Sequence, residues 1–218
     1  VTELRILSRG AADLPAGVAS SLRGGGTVIF PTDTLYALGA DPRSAEGVER
    51  LFRIKGRGAE KAIPLLLDGA GRLDELASSV PGAARRLAAL FWPGALTMVL
   101  PAGDSVLPAL LGGGSEVGLR VPAHPLARAL AAALGGAVTG TSANRSGNAP
   151  RWSRPEDLAG QFAREVDWIF WDGPLPPPAP EGGDGLPSTV IRFSGDFPVL
   201  LREGAIPFAS IENSLRRG

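Results

Sequence analysis

Between residues 27 and 202, short apolar runs alternate with stretches of helical periodicity. This alternation restricts the chain more than any other feature. The runs at 27–30, 63–67, 96–100, 117–121, 137–139, 167–171, 188–193 and 197–202 are rich in β-branched, aromatic or leucine residues, and strands are predicted there. Helix signals lie between them. Ser44 can cap a helix that carries Ala45, Val48, Leu51 and Phe52. Pro81 starts a second helix with Leu87 and Leu90. Pro125 opens a third, with Leu126, Leu130 and Leu134, which Gly135-Gly136 ends. Ser153 and Glu156 have capping-box spacing ahead of a fourth. Strands interleaved with helices to the end predict one α/β domain, a twisted, mixed parallel and antiparallel sheet flanked by helices. The 218-residue length favours a single domain. Residues 173–187 are dense in Pro and Gly, so a long surface loop is expected there, with a lid as its favoured role. Residues 208–218 read as a polar C-terminal tail.

Composition removes several classes of function. With no cysteine there is no disulfide scaffold, no thiolate zinc site and no cysteine nucleophile. Acidic and basic residues balance at 22 each, which argues against stable, non-specific nucleic-acid binding but leaves room for a local basic pocket. The longest apolar stretch, 87–102, is broken by Pro93-Gly94 and is too short to span a bilayer. No targeting segment is evident, so a soluble, cytoplasmic protein is expected. The only lysines are Lys55 and Lys61, close together in a chain whose other basic residues are all arginine. A lysine presents a compact point charge where an arginine presents a planar fork.

Five runs could carry chemistry, of which the last, residues 188–191 with 202–204, is a weak signal on its own. Residues 31–41 place Thr32, Asp33 and Thr34 at a strand's end ahead of Tyr36 and Gly39, which suits a ligand loop and equally suits an Asx-type turn. Lys55, Arg57 and Lys61 surround glycines just past a helix, as a polyphosphate site requires; cations complementing the helix dipole are the alternative, which explains Lys55 better than Lys61. Arg120 interrupts an apolar strand and must meet an anion, either a ligand or an internal carboxylate. Residues 139–147 offer hydroxyls, an amide and backbone N–H groups after a strand, in a ligand loop or an ordinary polar one. The sole histidine, His124, precedes Pro125 and reads as a helix-start residue; no G-x-S-x-G elbow or H-E-x-x-H motif is present. The tryptophans at 92, 152, 168 and 171 read as core or rim residues.

In order and spacing these motifs resemble those of the YrdC-like family of threonylcarbamoyl-AMP synthases. They are P-T-D-T-x-Y-x-L-G-x-D from Pro31, K-G-R from Lys55, W-P-G-x-L-T from Trp92, G-L-R-V-P from Gly118, T-S-A-N-x-S-G from Thr141, S-T-V from Ser188 and L-R-x-G from Leu201. The resemblance covers residues 12–207, the expected catalytic domain, in what looks like the single-domain form. It implies that L-threonine, bicarbonate and ATP give threonylcarbamoyl-AMP and pyrophosphate, with Mg²⁺ accompanying ATP. A downstream transferase complex would then modify tRNA, so this chain would touch tRNA weakly at most, and no membrane is involved. By position, Thr34, Tyr36, Arg120, Gly140 and Ser188 would bind threonine. Lys55, Arg57, Lys61, Ser142, Asn144 and Arg202 would bind ATP. No residue is assigned as acid or base, and no metal ligand is assigned. Departures from the family pattern are Ala37 and Gly58, an apolar Leu66 where some relatives place a histidine, and Glu116 where a hydroxyl is common. A non-catalytic RNA- or nucleotide-binding module using the same basic site is the alternative; a carbamoyl phosphate-using relative is disfavoured by the absence of cysteine.

Overall fold

In a computed structural model, the described residues are 3–6, 12–56, 58, 60–144, 154–162, 164–174 and 186–216. Their elements run β1 (Glu3–Ile6), α1 (Val18–Arg23), β2 (Val28–Phe30), β3 (Ala37–Gly39), α2 (Ala45–Lys55), β4 (Leu65–Leu67), α3 (Leu73–Leu76), α4 (Gly82–Phe91) and β5 (Leu96–Pro101). Then follow β6 (Glu116–Arg120), α5 (Pro125–Ala133), β7 (Ala137–Thr139), β8 (Thr141–Ser142), α6 (Pro155–Phe162), β9 (Trp168–Trp171), β10 (Thr189–Ser194), β11 (Phe197–Arg202) and α7 (Phe208–Arg216).

The α/β class is as expected, but the strands divide between two mixed sheets instead of forming one. The first has the order β1-β9-β2-β3-β8 and the second β11-β10-β5-β6-β4-β7. In the first sheet two parallel pairs (β1 with β9, β9 with β2) are followed by two antiparallel ones, and in the second the parallel pairs (β10 with β5, β4 with β6) alternate with antiparallel ones. The sheets are joined where β3 ends against β7. Thr139 N donates to Ala40 O at 3.1 Å, and Ala40 N donates to Thr139 Oγ1 at 2.8 Å. A Cβ on Gly39 would lie 2.4 Å from Thr139 O, so only glycine lets the two backbones approach this closely.

Strand side chains alternate between two apolar clusters. Ile29, Leu38, Leu65, Leu67 and Ile169 enter one, while Val28, Phe30, Ala37, Leu66, Val138 and Phe170 enter the other. Both faces of these strands are covered, which is why they read as continuous apolar runs. Helix α5 contributes Leu126, Ala127, Leu130 and Ala131 as one stripe, and α2 contributes Val48, Leu51 and Ile54.

The expected starts of α2 and α5 are observed. Ser44 Oγ accepts from Gly47 N at 3.2 Å, and His124 Nδ1 accepts from Leu126 N at 3.2 Å. The capping residue expected at Ser153 lies outside the described residues. Strand β4 begins two residues later than predicted, because Pro64 has no N–H for the ladder. Of the predicted tryptophans, 92, 168 and 171 are buried, and Trp152 lies outside the described residues. The segment read as a polar tail is corrected: over Phe208–Arg216 it is helix α7, which packs on α4 and buries Ile211. Its signal was apolar spacing at Phe208, Ile211 and Leu215, which puts the three on one helical face.

Candidate active site

A pocket of about 250 Å³ opens where the polar ends of both sheets converge. Thr32, Thr34 and Tyr36 line it from the turn between β2 and β3. Thr97 comes from β5 and Arg120 from β6, with Gly140, Ser142, Ser188 and Arg202 completing the polar wall. Leu66, Ala62 and Pro64 make it apolar on the remaining side. The predicted residues Thr34, Tyr36, Arg120, Gly140, Ser142, Ser188 and Arg202 are therefore brought together from positions far apart in the chain.

Arg120 is 5% exposed, at the end of β6. Its Nε donates to Gly94 O and its Nη1 to Thr34 Oγ1, both at 2.9 Å. Its Nη2 lies 2.8 Å from Asp33 Oδ1, yet none of its N–H bonds is aligned on an acceptor. That contact is therefore chiefly one of charge, and what hydrogen bonding it has is poorly aligned. Burial lowers the guanidinium's pKa, and the Asp33 charge opposes that shift. An arginine starts so far above neutrality that it remains a cation.

The second cation is Arg202, at the end of β11 and exposed at the pocket's rim. Its Nη2 donates to Ser188 O at 2.9 Å and approaches Ser188 Oγ at 3.4 Å. Desolvation lowers its pKa, and the charge of Arg120 lowers it further. Two guanidinium groups thus repel one another across the pocket, an arrangement that an anion placed between them relieves. Ser188 Oγ also lies 2.8 Å from Thr97 Oγ1. Thr97 went unassigned in the sequence reading. Its signal was a hydroxyl inside an apolar run, the same kind of interruption that marks Arg120.

The Thr32–Thr34 turn is self-supporting. Thr32 Oγ1 donates to Leu35 O at 2.5 Å and accepts from Thr34 N and Leu35 N at 3.2 and 3.1 Å. The Thr34 hydroxyl accepts from Arg120, so its own proton is left for Thr32 Oγ1 at 3.1 Å or for a ligand. Tyr36 is fully buried and stacks on Trp171, with centroids 5.1 Å apart. Its hydroxyl donates to Gly173 O at 2.7 Å and accepts from Asp172 N at 3.1 Å. Burial raises its pKa. His124 Nε2 meets Asp172 Oδ2 at 2.8 Å, so the start of the segment after β9 is held from two sides.

Lys55 lies behind the Ser142–Asn144 turn. It is 3% exposed, and Nζ donates to Ser142 O at 2.6 Å, Asn144 O at 2.5 Å and Asn144 Oδ1 at 2.9 Å. These contacts clamp the Ser142–Asn144 turn. Asn144 Oδ1 also accepts from Ser142 Oγ at 2.5 Å. Lys61 is exposed and outside the pocket wall, and Arg57 lies outside the described residues. Gly140 N donates to Pro64 O at 2.9 Å, so that N–H is committed within the protein. Leu66 does line the pocket, whereas Glu116 is exposed away from it. Residues 175–185 of the expected lid also lie outside the described residues. Among the described residues no cluster of three acidic or histidine side chains could hold a metal ion, and no helix is long and apolar enough to cross a membrane.

The Sua5/yciO/yrdC family model, described as telomere recombination, matches residues 20–204. The threonylcarbamoyl-AMP synthase of Bacillus subtilis (strain 168) is 35% identical over 198 residues, 90% of this chain and 55% of that protein. The structure of Pyrococcus abyssi Sua5 complexed with L-threonine matches with a TM-score of 0.86 at 32% identity, covering 98% of this chain and 61% of that one. Escherichia coli YciO matches with a TM-score of 0.80 at 29% identity, covering 95% of this chain and 98% of its own. This chain spans little more than half the length of the Bacillus and Pyrococcus proteins.

Proposed function

Because the chain belongs to the Sua5/yciO/yrdC family, we propose that its pocket serves a nucleotidyltransferase reaction, the synthesis of threonylcarbamoyl-AMP. The observation that carries this reading is the convergence of Arg120, Thr34, Thr97, Ser188 and Arg202 on one small pocket. At about 250 Å³ the pocket falls below the ~300–1,000 Å³ usual for larger ligands. It suits an amino acid, and a nucleotide would extend outward from it.

In this reading L-threonine binds with its carboxylate at Arg120 and its polar groups on Thr34 and Ser188, with Tyr36 holding the turn in shape and Gly140 keeping the floor open. Bicarbonate and the threonine amine lose water to give a carbamate. A carbamate oxygen attacks the α-phosphorus of ATP, the bond to the β-phosphate bridging oxygen breaks, and pyrophosphate leaves. Arg202, Arg57 and Lys61 stabilise the phosphate charge, Ser142 and Asn144 meet the nucleotide, and Lys55 holds their turn from beneath. Magnesium arrives with ATP as part of the substrate. Catalysis then rests on positioning and on charge neutralisation at phosphorus. The adenylate passes to a separate transferase that modifies tRNA in the cytoplasm, and contact with tRNA itself is weak.

The test is pyrophosphate release from ATP and bicarbonate with and without L-threonine, with the adenylate identified by mass spectrometry. Threonine-dependent release with that product supports the reading. Nucleotide binding without threonine-dependent release would replace it with a non-catalytic binding module.

A further inference from the structure

Asp33 lies in the turn that forms one side of the pocket, but it is not part of the pocket wall, and the proposed reaction gives it no task. It contacts Arg120, the more deeply buried of the two arginines that line the pocket. We infer that Asp33 is the resident counter-ion of Arg120 and that it weakens the pocket's hold on a carboxylate by already neutralising that charge. The inference rests on the reading of Arg120 as the carboxylate-binding group.

A guanidinium at 5% exposure needs an opposite charge nearby. Its orientation, however, comes from neutral acceptors: Gly94 O holds Nε and Thr34 Oγ1 holds Nη1. Asp33 Oδ1 is 2.8 Å from Nη2 with a poorly aligned N–H, so it balances charge more than it sets direction. The carboxylate is fixed independently, because Oδ1 accepts from Ala123 N at 2.9 Å in the turn after β6. Asparagine at this position keeps that acceptor oxygen and removes only the charge. Among the described residues, Arg120 and Arg202 set two cations at the pocket beside the one anion of Asp33. A ligand carboxylate and Asp33 share the attraction of Arg120 and repel each other.

The consequence is specific to charge. Asp33→Asn is expected to tighten L-threonine roughly 10-fold, the scale set by one like charge a few ångströms from a partly buried anion. L-Threoninamide, which lacks the carboxylate, gains nothing. In the steady state KM for threonine falls while kcat does not rise, since uniform tightening adds nothing to the transition state. The ligand-free variant has a lower melting temperature, and threonine raises it further than in the wild type.

The experiment is calorimetric titration of the wild type and Asp33→Asn with L-threonine and with L-threoninamide, beside thermal melts. Asp33→Ser, which also keeps an acceptor oxygen, is the second variant should the first fail to fold. Tightening confined to the carboxylate ligand supports the inference. Unchanged or weaker threonine binding by a folded variant overturns it while leaving the wild-type pocket reading intact. Equal gains for both ligands also overturn it. A wild type that does not bind threonine defeats the pocket reading, and the inference falls with it.

Discussion

Replacing Gly140 by alanine probes how the pocket floor is built. A Cβ there would lie 2.6 Å from both Cγ and Cδ1 of Leu66 and 3.3 Å from Cδ2. Carbon pairs are comfortable at about 3.5–4.0 Å, so Leu66 must retreat by roughly 1 Å. Rotation about χ2 does not move Cγ, so the retreat involves χ1 or the backbone of β4. Leu66 is buried, with Arg120 and Val138 as its ladder neighbours. Overpacking of this kind costs about 1–3 kcal/mol. Leu66→Ala alone removes buried methyl groups at about 2–5 kcal/mol, towards the low end because water can enter from the pocket. Together the two changes leave a methyl facing a methyl, and the strain disappears. The double variant should therefore be at least about 1 kcal/mol more stable than the sum of the single changes implies. Urea unfolding of all four proteins, with matched m-values, measures the coupling. Losses that add to within about 0.5 kcal/mol would refute the contact as the source of the strain. The single Gly140→Ala protein also tests the pocket: where Leu66 escapes inward, the stability loss is small and threonine affinity falls.

Three other outcomes are expected. Lys55→Met strands the carbonyl oxygens of Ser142 and Asn144, so stability should fall by about 2–4 kcal/mol and KM for ATP should rise; an unchanged melting temperature would show that the clamp contributes nothing. Arg120→Ala should weaken threonine by at least ~100-fold, the scale of about 3 kcal/mol for a lost buried charge contact, and threonine-saturation kinetics that match the wild type would count against the site. Tyr36 is the only tyrosine, so tyrosinate absorbance reports it alone. Its folded pKa is raised, so above the ordinary value of about 10 the unfolded chain releases the proton first, and stability falls as pH rises. Native Tyr36 should resist titration through that range, and Tyr36→Phe should flatten the alkaline loss of stability; ionisation at ordinary pH in the folded protein would contradict its burial.

Much of the local structure was legible in the sequence. Ser44 and His124 sit at helix starts because a side-chain acceptor there satisfies a backbone N–H within three residues, and the information is equally local. The apolar runs became strands for a similar reason, and the polar interruption at Arg120 marked a residue that faces the pocket. The contacts of Lys55 were not legible. A lysine beside glycines reads as a free cation, and only the fold brings the carbonyls of Ser142 and Asn144 within reach to use its hydrogens. Helix α7 was missed because its few apolar residues lie among polar ones and matter only where α4 receives them.

The sequence by itself determined the element types, most of their order and the residue chemistry available, since propensity, period and capping act between near neighbours. Tertiary structure alone decided that the strands form two sheets, that Gly39 lets those sheets meet, and that Leu66 rests on Gly140. It also decided that Thr34, Thr97, Arg120, Ser188 and Arg202 share one pocket with Asp33 behind it. Those facts depend on pairings between strands far apart in the chain, whose free energy comes from the combined burial of both sheets and has no local signature.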